Sequence, residues 1–306
     1  ASARAELWRV RGLAKPAESA EPAAPHHDAA PSGAAGPASA RSARRAPCPP
    51  EMVSIAGRYC VDRFEGSLAH RSDGRLLSAD YPPTPNALGG VLADWATKRE
   101  RGGDLHARAL PLPPLDPSQI GAASAPFALS RRGLRPSGFV SGLVAREACA
   151  AAGKRLCTHE EWRTACRGDQ RTRFPYGDAY EDGACNVNRP HHPAAILHGH
   201  ASVGHLDPRL VRVEVDGEPL LRLTGASARC LSRWGDDAVF DMVGNLDEWV
   251  DHKGGAFAGG FFARGTSSGC DALVDAHPEP YLDYTTGLRC CLDTAPAEPS
   301  PPRDTR

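Results

Sequence analysis

Apolar and polar residues alternate along the segment EMVSIAGRYCVDRFEGS, from Glu51 to Ser67. A period of two is typical of β-strands that bury one face. Gly57 falls in the middle of the segment, where a turn would join two such strands. The segment therefore predicts a strand pair with its turn at Gly57.

Two later segments have apolar residues at helical spacing. The first is SGLVAREACAAAGKRL, at residues 141–156, and the second is THEEWRTACRG. In the second, Thr158 can cap the helix, Glu161 completes a capping box, and Gly168 can end it. Three of its residues fall on one face, which we expect to be buried: Trp162, Ala165 and Cys166.

Large apolar residues are nearly absent from both ends of the chain, which are rich in Ala, Pro, Ser and Gly. Such segments cannot offset the entropy cost of ordering. We therefore expect a disordered tether over 1–47, a folded domain over 48–293 and a disordered tail over 294–306. Within the domain, proline-rich residues 72–130 predict a long insertion, because proline disrupts regular ladders. Short strands and long loops are expected over 174–238.

The charge balance changes this picture little. The formal net charge is -1, from 36 basic and 37 acidic residues, so nothing electrostatic favours a nucleic-acid or anionic-membrane partner. No apolar run approaches the roughly 18 residues that span a bilayer. The first residues, ASARAELW, contain no basic-then-apolar leader, so we expect that any export signal has either been removed or never existed.

The cysteines indicate the compartment. There are 10, an even number, and no CxxC pair occurs among them, which disfavours zinc knuckles and thioredoxin-like motifs. Structural disulfides in an oxidising environment account for them better. We therefore expect an extracytoplasmic protein, whether periplasmic, displayed at the cell surface or secreted.

Six motifs carry a resemblance to a known family: AAGKRLCTHEEWRTACRG, FPYGD, CNVN, FDMVGNLDEWV, GGAF and GLRCC. In order and rough spacing they are similar to the formylglycine-generating enzyme, or sulfatase-modifying factor, family. The resemblance covers about residues 51–292 and leaves 72–130 unmatched. It implies a single α+β domain of the C-type-lectin-like kind, with little regular secondary structure and many disulfides.

The motif FDMVGNLDEWV contains a candidate cation site. Asp241 and Glu248 can supply carboxylate oxygens, with the carbonyl groups of the intervening turn between them. Oxygen donors alone suit a hard cation such as calcium, although a solvated acidic turn is the alternative from spacing alone. The resemblance implies a structural calcium ion on Asp241, Gly244, Leu246 and Glu248. In the CNVN segment, Asn186 and Val187 resemble part of a second calcium site of the family.

The resemblance also implies where catalytic cysteines should stand. In the oxidase branch, two cysteines after a Gly-Gly-Ser-aromatic strand clamp Cu(I), which activates oxygen to oxidise a substrate cysteine to formylglycine. This chain reads GGAFAGGFFARGTSSGC, which puts Ala256 at the serine and Gly259 and Arg264 at the two cysteines. No catalytic residue is assigned, because copper-thiolate chemistry cannot run from those positions.

Disulfide pairing follows partly from the same resemblance. It implies bridges between Cys149 and Cys290 and between Cys166 and Cys270. Proximity in the pattern pairs Cys48 with Cys60 and Cys185 with Cys230, which leaves Cys157 with Cys291.

Five histidines crowd into the segment HHPAAILHGHASVGH, at residues 191–205. Imidazoles at i and i+2 of an extended segment point the same way, so His198 and His200 are a possible site for iron, copper or zinc. A polar surface insertion with no metal is the alternative. Calcium is thus the expected cofactor, and copper or iron is less favoured.

Two functions remain in contention, since the sequence has no GxSxG, P-loop, GxGxxG or HExxH motif. The first is an exported, calcium-stabilised binding or maturation module that keeps the family scaffold without its copper thiolates. The second is a metal-dependent oxidoreductase of the formylglycine-generating type that acts on a protein or peptide. Free thiols would distinguish them, because only the second needs reactive cysteines or another metal site.

Overall fold

Short strands and a few helices are joined by long loops in this computed structural model, which describes residues 8–10, 48–115, 119–120, 126–264 and 266–294. The strands are β1 (Trp8–Val10), β2 (Met52–Ile55), β3 (Tyr59–Asp62), β4 (Gly66–His70), β5 (Pro126–Ser130), β6 (Arg155–Leu156), β7 (Val213–Val215), β8 (Glu218–Pro219), β9 (Leu231–Trp234), β10 (Asp237–Phe240), β11 (Asp247–Val250), β12 (Ala256–Ala258), β13 (Leu273–Val274), β14 (Thr286–Leu288) and β15 (Cys290–Asp293). The helices are α1 (Pro85–Lys98), α2 (Leu105–Ala109), α3 (Gly142–Ala151), α4 (His159–Arg167) and α5 (Pro193–His198).

The strand pair predicted near residue 51 is confirmed. β2 and β3 are antiparallel, Ile55 lies opposite Tyr59, and Gly57 adopts a φ of 67° in the turn between them. β15 pairs with the other edge of β3, so the last strand closes on the first hairpin in a sheet of order β2-β3-β15-β6. This sheet joins the two ends of the folded region.

A second four-stranded sheet positions the candidate site. Its order is β13-β12-β11-β14, with β11 antiparallel to β12 and parallel to β14. β11 follows the predicted cation turn and β12 belongs to the glycine-rich segment. Glu248 lies opposite Ala258 in the register of these two strands. The sheet therefore brings the two motifs side by side.

Helix α4 forms as its sequence predicts. The Thr158 hydroxyl accepts a hydrogen bond from the Glu161 N–H at 3.2 Å, and the Glu161 carboxylate accepts one from the Thr158 N–H at 2.9 Å. Gly168 ends the helix at a φ of 67°. The three residues predicted to share its inner face are all fully buried: Trp162, Ala165 and Cys166.

Helix α3 is shorter than predicted. It ends at Ala151, before Gly153, which turns the chain at a φ of 71°. Residues 155–156 then form β6 and pair with β15. Gly153 turns the chain away from the helix. Pairing of β6 with β15 then outweighs the helical spacing of residues 155–156.

The predicted insertion over 72–130 is more regular than the proline count suggests. It contains α1 and α2, and its last five residues form β5, which pairs with β4 along its whole length. The expectation that this segment holds no ladder is wrong for 126–130. Proline is compatible with this arrangement because Pro85 occupies the first turn of α1, where a missing N–H costs no hydrogen bond.

The predicted flanks lie mostly outside the described residues. Of 1–47, only 8–10 are described, and they form β1, antiparallel to β7. The tail beyond residue 294 is outside the described part of the chain.

All ten cysteines are in disulfide bonds. The pairs are those proposed from the sequence: Cys48–Cys60, Cys149–Cys290, Cys157–Cys291, Cys166–Cys270 and Cys185–Cys230. Three of them connect positions more than 100 residues apart. Cys149–Cys290 ties α3 to β15, and Cys166–Cys270 ties α4 to the segment after β12.

Two tryptophans mark the core around the second sheet. Trp162 of α4 packs among residues from both four-stranded sheets, while Trp249 of β11 packs against α3 and its neighbours. Within the described residues, no helix combines the length and apolar character that crossing a membrane requires.

Candidate functional site

The predicted cation turn is buried and fixed by its backbone. Asp241, Gly244 and Asn245 all have positive φ values, of 57°, 82° and 60°. The Gly244 N–H donates to the Gly259 carbonyl at 2.9 Å, and a Cβ atom added to Gly244 would lie 2.2 Å from the Asn186 carbonyl oxygen. Only glycine fits there, so the turn is held between the CNVN segment and the glycine-rich segment.

Glu248 forms a buried ion pair with Arg289. Its carboxylate accepts three hydrogen bonds from Arg289, at 2.7 to 3.0 Å, and a fourth from the Trp162 indole at 2.7 Å. Glu248 and Arg289 are both at most 1% exposed. An ionised carboxylate offers about four lone-pair positions. In this arrangement Glu248 has none left for a metal ion.

Two further carboxyl groups are buried at the same turn. Glu65 accepts hydrogen bonds from the Leu246 N–H at 3.1 Å and from the Asn245 side chain at 2.5 Å, and Asp241 accepts one from the Gly225 N–H at 2.6 Å. Burial raises the pKa of Asp241 to about 7. Burial, reinforced by the nearby charges of Asp241 and Glu248, raises the pKa of Glu65 well above its ordinary value.

The cluster therefore has a surplus of acid. It comprises three buried carboxyl groups, and Arg289 is the one guanidinium among the described residues that bonds directly to any of them. A buried unbalanced charge is costly, so the surplus must be neutralised by protons or by a cation. The structure brings Asp241, Gly244, Leu246 and Glu248 into one turn, but it commits Glu248 to Arg289.

Glu65 was missed by sequence reasoning. It follows β3 without any motif around it, and the mixed polar and apolar stretch VDRFEGSLA gives no local signal that this acid is buried. Its partner at Leu246 lies far along the chain. Across the described residues, no group of three or more His, Cys, Asp or Glu side chains is arranged to hold a metal ion.

The first family cysteine position is closed by packing. Gly259 adopts a φ of 94°, and a Cβ atom added to it would lie 2.7 Å from the Met242 carbonyl oxygen and 3.0 Å from the Trp162 ring. Real Cβ atoms do not approach a backbone oxygen this closely without a shift of the chain. In this backbone, position 259 has no room for a cysteine.

The second family cysteine position holds a positive charge. Arg264 donates to Asp247 at 2.5 Å, and the Gly260 N–H donates to the same oxygen at 3.1 Å. Asp247 is fully buried, and burial raises its pKa to about 7 although Arg264 opposes the shift. An ion pair between the partly exposed Arg264 and the buried Asp247 thus occupies the place where the resemblance puts a metal-binding thiol.

The region that contains these two positions matches a known family model. Residues 127–270 match the family model described as the sulfatase-modifying factor enzyme 1-like domain. This range, just under half of the chain, is similar to that domain. The matched range includes α3, α4, the acidic turn and the glycine-rich segment. The observed mixture of helices, short strands and five disulfides confirms the predicted α+β, disulfide-rich fold class.

Solved structures similar to this chain include two variants of the Major Tropism Determinant. The I1 variant has a TM-score of 0.40 at 16% identity, and the P3c variant has a TM-score of 0.41 at 16% identity. In both cases the match covers 80% of this chain and 53% of that chain, so this chain spans about half of their length. CarF, with a TM-score of 0.35 at 14% identity, is covered over 87% of its chain and 78% of this one. No curated protein gives a significant match.

The histidines have separate partners. His198 Nε2 lies 3.0 Å from Asp207 Oδ2, whereas the exposed His200 accepts a hydrogen bond from the Ser202 N–H at 3.1 Å. His192, in turn, lies 3.2 Å from the Tyr284 hydroxyl. The i, i+2 pair proposed from the sequence therefore faces different neighbours.

Proposed function

We propose that this protein is a binding or maturation module that retains the sulfatase-modifying-factor scaffold but has lost the copper-thiolate oxidase centre. The observation that carries the proposal is the closed position at Gly259, where packing excludes any side chain. The guanidinium of Arg264 at the second position supports it, because a cation there repels a metal ion.

The state of the cysteines also supports this function. Cu(I) is held by soft thiolate ligands, and a sulfur atom in a disulfide is no thiolate. All ten cysteines are bridged. A binding role on a protein or peptide keeps the substrate class of the family while requiring none of its redox chemistry.

An oxidation assay tests this function directly. The purified protein is supplied with Cu(I), oxygen and a cysteine-containing peptide, and aldehyde formation is followed by hydrazide trapping and mass spectrometry. We expect no copper-dependent conversion, with an active formylglycine-generating oxidase as the positive control. Repeated copper-dependent turnover would reject the module and favour the oxidoreductase.

We propose further that calcium balances the acidic cluster, with Asp241 and the turn carbonyls of Gly244 and Leu246 as its ligands. The support is the surplus of buried carboxyl groups and the oxygen-only donor set. Glu248 does not fit this role while Arg289 holds it. The ion would stabilise the fold by neutralising charge that is otherwise carried by protons.

Thermal melting with and without a calcium chelator tests the ion. Chelation should lower the Tm of the wild type and leave that of Asp241→Asn unchanged, while the exposed Asp236→Asn control behaves as the wild type does. Glu248→Ala is a poor test, because it leaves the buried Arg289 unpaired. If wild-type melting is the same in calcium and in chelator, protons balance the cluster and the calcium proposal is rejected.

We propose an extracytoplasmic location, which the five disulfides support, since such bonds persist in oxidising compartments. Recombinant protein should accumulate folded when directed to an oxidising compartment and should misfold in a reducing cytosol. Equal yields of folded, thiol-containing protein from the reducing cytosol would contradict this location.

A further inference from the structure

A cavity of about 340 Å³ lies between the insertion and the histidine-rich segment. One wall comes from the end of α1 and the loop after it, and the other from His198 and residues 203–207. The insertion wall lies outside the residues that match the family model. A pocket of this volume is at the small end of the range for ligand sites, roughly 300–1,000 Å³.

One lining residue of the cavity, Asp207, belongs to a network of buried polar groups centred on Arg209, which does not itself line the cavity. Arg209 donates three hydrogen bonds to the Asp207 carboxylate, at 2.6 to 3.1 Å, and its guanidinium lies 4.2 Å from the centre of the Trp95 ring. Arg209 also donates to the carbonyls of Ala107 and Leu110. The hydrogen bonds of Arg209 therefore fix the insertion to the rest of the domain.

The wall is also set by close backbone packing. A Cβ atom added to Gly103 would lie 1.9 Å from the Leu197 carbonyl oxygen, and one added to Gly102 would lie 3.0 Å from His198 Nδ1. Gly103 has a φ of 73°, which other residues rarely adopt. The two glycines hold the loop against α5, so the cavity is preformed.

The charges around the cavity leave an excess of positive charge. Its two acids are already engaged: Asp207 by Arg209 and His198, and Asp94 by Lys98 in an i, i+4 ion pair. Hydrogen bonds from His198 and Arg209 outweigh the effect of burial and keep the pKa of Asp207 below its ordinary value, so this acid stays ionised and balanced.

Two basic side chains that line the cavity remain, Arg99 and Arg101. Arg99 has only a 4.0 Å contact with the exposed Glu100, which is worth little in water. No carboxylate of the described residues forms an ion pair with Arg101. Trp95 and the exposed Val203 provide the apolar surface beside these two guanidinium groups.

We propose that this cavity binds a small organic anion, with a flat apolar body against Trp95 and Val203 and its anionic group at Arg99 and Arg101. The site differs from the acidic turn in place and in charge. It is also independent of copper and calcium, so it stands or falls separately from the proposed function.

Calorimetric titration of the full chain with 2-naphthoate tests this site, and the neutral 2-naphthamide serves as the matched probe. For a ligand of this size we expect saturable 1:1 binding with a Kd on the order of 0.1–1 mM. The naphthamide should bind at least fivefold more weakly. Arg101→Gln should weaken naphthoate binding about fivefold or more, because it removes one charge-assisted hydrogen bond.

Two further variants locate the site. Val203→Trp should abolish binding by filling the cavity, and it changes an exposed residue, so folding is not at risk. Arg71→Gln, which removes a basic side chain from a different surface groove, should leave the Kd unchanged. The proposal is overturned if wild type shows no saturable binding at 10-fold the expected Kd, if naphthamide binds equally well, or if Val203→Trp still binds naphthoate.

Discussion

Replacing Gly259 by alanine probes the closed catalytic position with the smallest possible side chain. Two costs add in this variant. The first is backbone strain, since Gly259 has a φ of 94°, and holding a residue other than glycine in such a region costs about 1–3 kcal/mol. The second is steric, because the new methyl group would lie 2.7 Å from the Met242 carbonyl oxygen. Forcing extra atoms into a packed core costs about 1–3 kcal/mol more.

Gly254 provides a matched control on the same segment. Its φ is 92°, nearly that of Gly259, but a Cβ atom added there meets nothing within 4 Å. Gly254→Ala should therefore show the backbone cost alone, about 1–3 kcal/mol. The difference between the two variants isolates the steric term at Gly259.

Urea unfolding with the disulfides intact measures this difference. We expect Gly259→Ala to be less stable than Gly254→Ala by about 1–3 kcal/mol, with unchanged m-values. Equal losses in the two variants would refute the reasoning, because they would show that position 259 accepts a side chain. A cysteine would then be sterically possible there, and the closed position could no longer carry the proposed loss of the oxidase centre.

The other predictions concern stability. Asp207→Asn should cost about 3–5 kcal/mol at pH 7, because it leaves the buried Arg209 unpaired. The pKa of Asp207 is lower in the folded state than in the unfolded state. The ionised carboxylate therefore stabilises the fold above about pH 4, and this stabilisation is lost as pH falls further. Urea unfolding at pH 3 should show a smaller loss of stability for Asp207→Asn, and an equal loss at both pH values would contradict the ionised state. Replacing Cys149 and Cys290 by serine should cost about 5 kcal/mol, against about 3 kcal/mol for the bridge of Cys48, because the bridged residues are 141 and 12 positions apart. The reverse order in thermal or urea unfolding would show that chain entropy does not set these values.

Local signals made much of the fold predictable. The capping box at Thr158 and Glu161 and the alternation around Gly57 act within a few residues, so sequence alone places α4 and the β2–β3 hairpin. The end of α3 was harder to predict. Its apolar spacing continues beyond Gly153, and only pairing with the distant β15 converts residues 155–156 into a strand.

The chemistry of the candidate site depended on contacts that sequence spacing does not reveal. The residues of the acidic turn were identified, but Arg289 and Glu65 are brought to it by strands from opposite ends of the domain. Similarly, the mismatch at Arg264 was visible in the sequence, whereas its ion pair with Asp247 required the structure. Tertiary packing decides which carboxylates have partners, and this determines whether a cation is needed.

The structure of the insertion, residues 72–130, also depended on contacts that its sequence does not reveal. Its prolines predicted irregular chain, yet Pro85 begins α1 and Pro126 begins β5, two positions where proline is tolerated. What fixes the insertion is the buried Arg209, which bonds across to α2. No sequence motif predicts that Arg209 is buried, because a single arginine in a loop is usually solvent-exposed.

The central claim is that the scaffold persists without a copper-thiolate centre, and a thiol count tests it most directly. The purified protein is denatured without reductant, labelled with a maleimide, digested and mapped by mass spectrometry, and Cu(I) binding is measured in parallel on the native protein by competition with a colorimetric chelator. We predict no labelled cysteine, the five disulfide-linked pairs seen in the structure, and no stoichiometric Cu(I) binding. Two labelled cysteines in a protein that binds one equivalent of Cu(I) would contradict the account.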